Sequence, residues 1–164
     1  MSSAAVIPVA RASTSRFLEV DVSDSTAVGY TAGVFDLFHV GHLNLLRQAR
    51  ERCGHLIVSV TSDELAEQAK GVRPALPLLE RMAVVQSVRY VDHVVPQMSA
   101  DKSLAWQTLQ FDVLFAGTNL EGSPAWEQVE RDMAEVGVRV TYLPATHLRS
   151  GRLLERGLTD LLAE

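Results

Sequence analysis

Two histidines stand three residues apart, His39 and His42, with Gly41 just before the second. They follow a short apolar run, Val28-Gly29-Tyr30-Thr31-Ala32, and precede Leu43, Leu46 and Ala49 at helical spacing. A pair of imidazoles where a strand becomes a helix suits phosphate chemistry. Gly41 has no side chain, so a phosphate can approach the backbone N–H groups that open the helix. Both rings can face the same phosphate. Two other readings stay open on spacing alone. One is a pair of satisfied core histidines. The other is a zinc site, for which Cys53 and His55 are the nearest further ligands, one in a helix tail and one in a strand.

The chain that carries this pair has 164 residues, 47% apolar and 21% charged. That is one domain's length and a globular composition, which excludes a fully disordered chain. Fifteen basic against twenty acidic residues leave a net charge of −5. An acidic balance argues against nucleic acid and anionic membranes as partners. Lys70 and Lys102 are the only lysines. The remaining basic residues are Arg, whose planar fork matches phosphate oxygens. Cys53 is the single cysteine, so no internal disulfide forms, and a reducing, cytoplasmic location is expected. Cys53 itself reads as a small buried filler. No apolar run approaches the roughly 18 residues of a membrane span, and the N-terminus lacks a signal-peptide pattern.

Strands and helices alternate from Ala27 onward. Strands are predicted over 28–32, 55–61, 91–95, 111–116 and 138–143. Helices are predicted over 41–53, from Ser62 as a cap, over 78–89 behind Pro77, over 103–109, from Ser123-Pro124 to about 135 before Gly137, and over 150–162. Residues 1–25, rich in Ser and Ala at the start, read as a flexible extension, and 26–164 as one domain. Alternation of this kind implies an open, Rossmann-like parallel sheet of about five strands with helices on both faces. Ligands in such sheets bind beyond the carboxyl ends of the strands. The loops that matter therefore follow Ala32, Thr61, Val95, Ala116 and Leu143.

The stretch Gly33-Val34-Phe35-Asp36-Leu37-Phe38-His39-Val40-Gly41-His42 resembles the signature of the cytidylyltransferase-like nucleotidyltransferases. Within that superfamily the chain is most similar to the glycerol-3-phosphate cytidylyltransferases, over about residues 28–156. Thr61-Ser62-Asp63-Glu64, Glu80-Arg81, Val88-Arg89-Tyr90-Val91-Asp92, Gly117 with Glu121-Gly122, and Leu143-Pro144 with Thr146 continue the pattern.

The resemblance implies transfer of a nucleotidyl group, most simply CMP from CTP, to a small phosphorylated alcohol such as glycerol 3-phosphate, with release of pyrophosphate. It implies His39, His42 and Arg81 as catalytic residues around the triphosphate. Ala32, Gly33, Val34, Phe35, Gly41, Arg73, Gly117, Thr118, Asn119, Thr146, Ser150, Gly151 and Arg152 are the implied nucleotide contacts, and Asp36 an orienter of the turn. Mg²⁺ is implied as a companion of the triphosphate, held largely by phosphates and water, and many members are homodimers. An adenylyltransferase acting on a phosphorylated sugar or flavin, and a non-catalytic nucleotide-binding relative, are the alternative readings. The chain departs from the pattern in three places. Gly117-Thr118-Asn119-Leu120 stands for Gly-Asp-Asp-Trp, Ala145 for an Arg, and Arg149-Ser150-Gly151-Arg152 for Ile-Ser-Thr-Thr. Arg149, Arg152 and Arg156 share a helical face, and Arg149 and Arg152 could return positive charge to the triphosphate.

Overall fold

The computed structural model describes residues 26–146. Ser150, Gly151 and Arg152, the helix expected over 150–162 and the extension over 1–25 lie outside the described residues.

The elements run β1 (Val28–Gly33), α1 (Val40–Arg50), β2 (His55–Thr61), α2 (Asp63–Lys70), α3 (Leu78–Gln86), β3 (His93–Gln97), α4 (Lys102–Leu109), β4 (Val113–Gly117), a 3-10 turn (Thr118–Leu120), α5 (Pro124–Glu135) and β5 (Arg139–Leu143). All four strand pairings are parallel, and the order across the sheet is β3-β2-β1-β4-β5. The five-stranded Rossmann-like sheet read from the sequence is therefore the observed one. Each strand needs a crossover to reach a parallel neighbour, and the helices supply it.

Both faces of the sheet are covered. On one, Leu56, Val58 and Val60 of β2 meet Leu46 and Ala49 of α1 and Val85 of α3. On the other, Tyr30 and Leu114 meet Met133 of α5, with Trp106 of α4 and Trp126 of α5 packed beside them. Burial on both faces explains why the strands read as nearly continuous apolar runs. β1 can lie this deep only because residue 29 is glycine. A Cβ there would stand 2.6 Å from the Phe115 ring and 2.7 Å from the Cys53 sulfur. Cys53 is thus a core filler, and burial pushes its thiol pKa up.

Local signals account for most boundaries. Ser62 Oγ accepts from the Leu65 amide and starts α2, and Gly71 closes it at φ 75°. Gly137, at φ 81°, turns the chain from α5 into β5. Pro77 sits one position earlier than expected, as the cap of α3. The third strand begins at His93, two residues later than predicted, because Asp92 is spent bracketing β2. Its Oδ2 accepts from the Leu56 amide and its own amide donates to the Leu56 carbonyl. Among the described residues no helix is long and apolar enough to cross a membrane.

Candidate active site

The connections leave β1 in opposite directions, towards β2 and β3 on one side and towards β4 and β5 on the other. That divergence opens a crevice at the carboxyl ends of β1 and β4. A cleft of about 150 Å³ lies there. Ala32 and Gly33 of β1 and Val34 and Phe35 after it form one wall, His42 comes from α1, Gly117 from the end of β4 and Leu120 from the turn that follows, with Lys102 of α4 and Trp126 of α5 completing it.

The segment between β1 and α1 is held in an unusual shape. Phe35 and Leu37 both take left-handed backbone angles, φ 52° and 45°. Such angles cost non-glycine residues roughly 1–3 kcal/mol each and persist only where surroundings impose them. Here the surroundings are visible. The Phe35 side chain is buried and makes edge contact with the His42 ring, centroids 5.3 Å apart. Asp36 accepts from the amides of Ala75 and Leu76 at 2.7 and 3.0 Å. Asp36 is therefore an orienter, as the sequence suggested, and what it holds is the loop before α3.

Arg81 supplies the remaining ties. It donates to the carbonyl oxygens of Leu76, Val34 and Thr61 and pairs with the Asp63 carboxylate. Its side chain is fully enclosed. The guanidinium, expected to meet phosphate, is turned here to four protein acceptors and fixes their relative positions. A buried arginine of this kind must be paired and hydrogen-bonded to be tolerated.

The two histidines form the opening of α1. His39 is the cap residue, and its Nδ1 accepts from the Gly41 amide at 3.0 Å. His42 Nδ1 faces the His39 amide at 3.4 Å, and the two rings stack with centroids 4.0 Å apart. A nitrogen that accepts carries no proton, so each neutral ring bears its hydrogen on Nε2. Burial lowers the His42 pKa to about 4, with the charges of His39 and Lys70 acting in the same direction and Asp36 opposing them. At neutral pH His42 is an uncharged donor. Gly41 is required for this arrangement: a Cβ would lie 2.7 Å from His39 Cε1 and 2.9 Å from its Nδ1. The glycine thus makes room for an imidazole as well as for a ligand.

The other residues singled out from the sequence divide into two groups. Thr118 and Asn119 form the turn after β4, where the Asn119 amide oxygen closes over Gly117, 2.5 Å from where a Cβ would stand. Thr146 Oγ1 accepts from Asn44 and anchors the segment after β5 to α1. Both lie at the same end of the sheet as the histidines. Arg73 is turned towards α2, where it pairs with Asp63, Glu64 and Glu67. It is half-exposed and does not line the cleft.

Lys102 is the cleft residue that sequence reasoning missed. The available signal was its place as one of two lysines, in the segment after the third strand. Among the described residues no group of three or more His, Cys, Asp or Glu is placed to hold a metal ion. What the cleft offers is imidazole N–H, helix N-terminal N–H and an ammonium, which are ligands for phosphate.

Over 139 residues the chain is 30% identical to a FAD synthase of Pyrococcus horikoshii, covering 80% of this chain and 92% of that one. Over 66 residues it is 48% identical to the ethanolamine-phosphate cytidylyltransferase of Arabidopsis thaliana, 40% of this chain and 15% of that one. A lipopolysaccharide core biosynthesis protein from Thermoplasma volcanium has the same fold, with a TM-score of 0.62 at 21% identity over 73% of this chain and 96% of that one. The model of the cytidylyltransferase-like family matches residues 30–150, which span the sheet, the histidine-capped helix and the cleft between β1 and β4. The chain belongs to that family, the cytidylyltransferase-like nucleotidyltransferases.

Proposed function

We propose that the cleft transfers a nucleotidyl group from a nucleoside triphosphate to a small phosphorylated acceptor. The observation that carries the reading is the double-histidine cap of α1, with both Nδ1 atoms turned inward and both Nε2–H groups left for a ligand. A phosphate oxygen of the acceptor attacks the α-phosphorus in line. The new P–O bond forms as the bond to the β-phosphate oxygen breaks, and pyrophosphate carries the electron pair away. The nucleophile is already an anion, so no base or covalent intermediate is required. What the protein must do is hold two anions together and stabilise the crowded phosphorus. His39, His42 and the first amides of α1 do this. Mg²⁺ would accompany the triphosphate, held largely by its phosphates and by water. Bound there it would neutralise phosphate charge.

The donor we favour is CTP and the acceptor a phosphorylated alcohol such as glycerol 3-phosphate. The local identity to the ethanolamine-phosphate cytidylyltransferase, 48% over 66 residues, supports it. A second reading is adenylyl transfer from ATP to a flavin phosphate, favoured by the likeness to the Pyrococcus FAD synthase along 92% of that enzyme. In either case Gly117, Thr118, Asn119 and Thr146 would contact the nucleotide, with Ser150, Gly151 and Arg152 receiving its terminal phosphates.

One assay decides between them. Pyrophosphate release is measured with each nucleoside triphosphate and Mg²⁺ against glycerol 3-phosphate, phosphoethanolamine, sugar phosphates and flavin mononucleotide. Release with CTP and a small alcohol phosphate is the expected result, and release with ATP and the flavin alone would replace it with the second reading. Nucleotide binding without release from any pair would make the chain a non-catalytic relative.

A further inference from the structure

We propose that Asn44 is a positioning residue for nucleotide binding: its side-chain amide holds the Thr146 hydroxyl so that its hydrogen is presented to an oxygen of the nucleotide. The inference rests on the nucleotidyl-transfer reading, in which Thr146 meets the nucleotide, and adds the residue through which that contact is made.

Asn44 lies inside α1, where asparagine is one of the poorer helix formers. What it does there is long-range. Its Nδ2 donates to Thr146 Oγ1 at 3.1 Å, across 102 residues of chain. Gln48, one turn further along the same face, donates through Nε2 to the Pro144 carbonyl at 3.4 Å. α1 therefore carries the segment after β5 as well as the two histidines. The segment needs such a hold, because β5 is the edge strand, two strands from β1. Asn44 also stands three residues after Gly41, a neighbouring position on the helix surface. Helical side chains lean toward the helix N-terminus. The bond therefore draws Thr146 over the turn that opens at Gly41, where an anion can approach the helix amides.

The direction of the bond matters more than its strength. A hydroxyl has one hydrogen to give and two lone pairs with which to accept. Thr31, Thr61, Ser87, Thr108 and Ser123 all spend that hydrogen on oxygens of the protein. Thr146 does the reverse. An amide NH₂ offers hydrogens only, so Thr146 accepts from it and keeps its own hydrogen. Among the described residues no oxygen takes that hydrogen. Nucleotides are rich in acceptor oxygens, on the phosphates above all, so the group their site needs is a donor. Without Asn44 the hydroxyl is free to turn and face the nucleotide with a lone pair, which repels an anion.

Calorimetric titration of the full chain with CTP and with ATP reads the effect without turnover. Asn44→Ala is expected to weaken nucleotide affinity by about 3- to 10-fold, the range of one neutral hydrogen bond. Gln48→Ala loosens the segment but leaves the hydroxyl its partner, and is expected to stay within about twofold of the wild type. In Thr146→Val the hydroxyl is gone, and adding Asn44→Ala should then cost nothing further, the coupling expected of two residues that act as one. In steady-state assays the nucleotide KM should rise with Asn44→Ala while the acceptor KM holds. The fold should be kept, because alanine is the better helix former, and a circular dichroism melt checks it. An unchanged nucleotide affinity in Asn44→Ala would overturn the inference. So would a loss of the same size in the Thr146→Val background, since Asn44 would then act without Thr146. If no pair releases pyrophosphate, the proposed reaction fails while the titrations still report the coupling.

Discussion

Arg81 in α3 donates through Nη1 to the carbonyl oxygen of Val34, 47 residues earlier in the chain and 2.5 Å away. The same guanidinium reaches Thr61 at the end of β2 and Leu76 before α3. One buried side chain therefore sets the relative positions of three segments at the carboxyl edge of the sheet. Arg81→Met should leave Asp63 and three carbonyls without their donor. Breaking a buried pair in this way typically costs about 3–5 kcal/mol, to be read from urea unfolding. Arg81→Lys should restore little, because a single ammonium cannot reproduce the fork.

Arg73→Ala should behave differently. Its side chain is half-exposed and its two nearer carboxylates, Glu64 and Glu67, lie on the surface, so the unfolding midpoint should hardly move. Nucleotide affinity is the informative measurement for this variant. An unchanged Kd is the expected result from the observed pairing, and a weaker one would show that the guanidinium leaves α2 when the triphosphate arrives.

His42→Ala should lower kcat by about 10²–10³, the loss typical of one pre-aimed donor at a developing charge. The fold should survive, because the residue is only partly buried. The check is single-turnover pyrophosphate release at saturating substrates.

The pH dependence follows from the same residue. His42 titrates at about 4 in the folded chain, against an ordinary value of 6.5. Between those values the unfolded chain binds the extra proton, so stability falls as pH drops from 6.5 and the loss is complete below about 4. Urea midpoints should show this slope in the wild type and a shallower one in His42→Gln. A bound triphosphate should move the His42 NMR titration upward, because nearby negative charge favours imidazolium.

Gly41→Ala separates fold from chemistry. Alanine is the better helix former by about 1 kcal/mol, but displacing the His39 cap costs roughly as much, so thermal stability should change little. The new methyl group would occupy the place of the His39 ring, 2.7 Å from its Cε1. Activity should fall even though the helix remains, which circular dichroism and an activity assay on one sample would establish.

The sheet was legible because its information is local. Seven residues of β2 were predicted at their observed bounds, His55–Thr61, from a β-branched run closed by a capping serine. The histidine pair was legible for the same reason, since spacing and a glycine carry the whole motif. The enclosure of Arg81 was not legible, because a charge on a helix names none of its partners in sequence. Its partners Val34, Thr61 and Asp63 come from other elements, and only packing reveals that they converge on it. Lys102 was passed over because it belongs to the segment after β3, two strands from the histidines. The start of β3 was placed early because Asp92 looked like part of a strand when its hydrogen bonds serve β2.

The left-handed backbone at Phe35 and Leu37 has a consequence for heat. The segment between β1 and α1 stores conformational energy that the sheet beneath it does not, and Asp36 and Arg81 keep it in shape. Segments held by a few polar ties open at lower free energy than a packed core. Catalytic competence should therefore fail on warming before the secondary structure does, and return on cooling from that interval. The protein's working ceiling would be set by six residues of loop, Val34 to His39, rather than by the melting of its core.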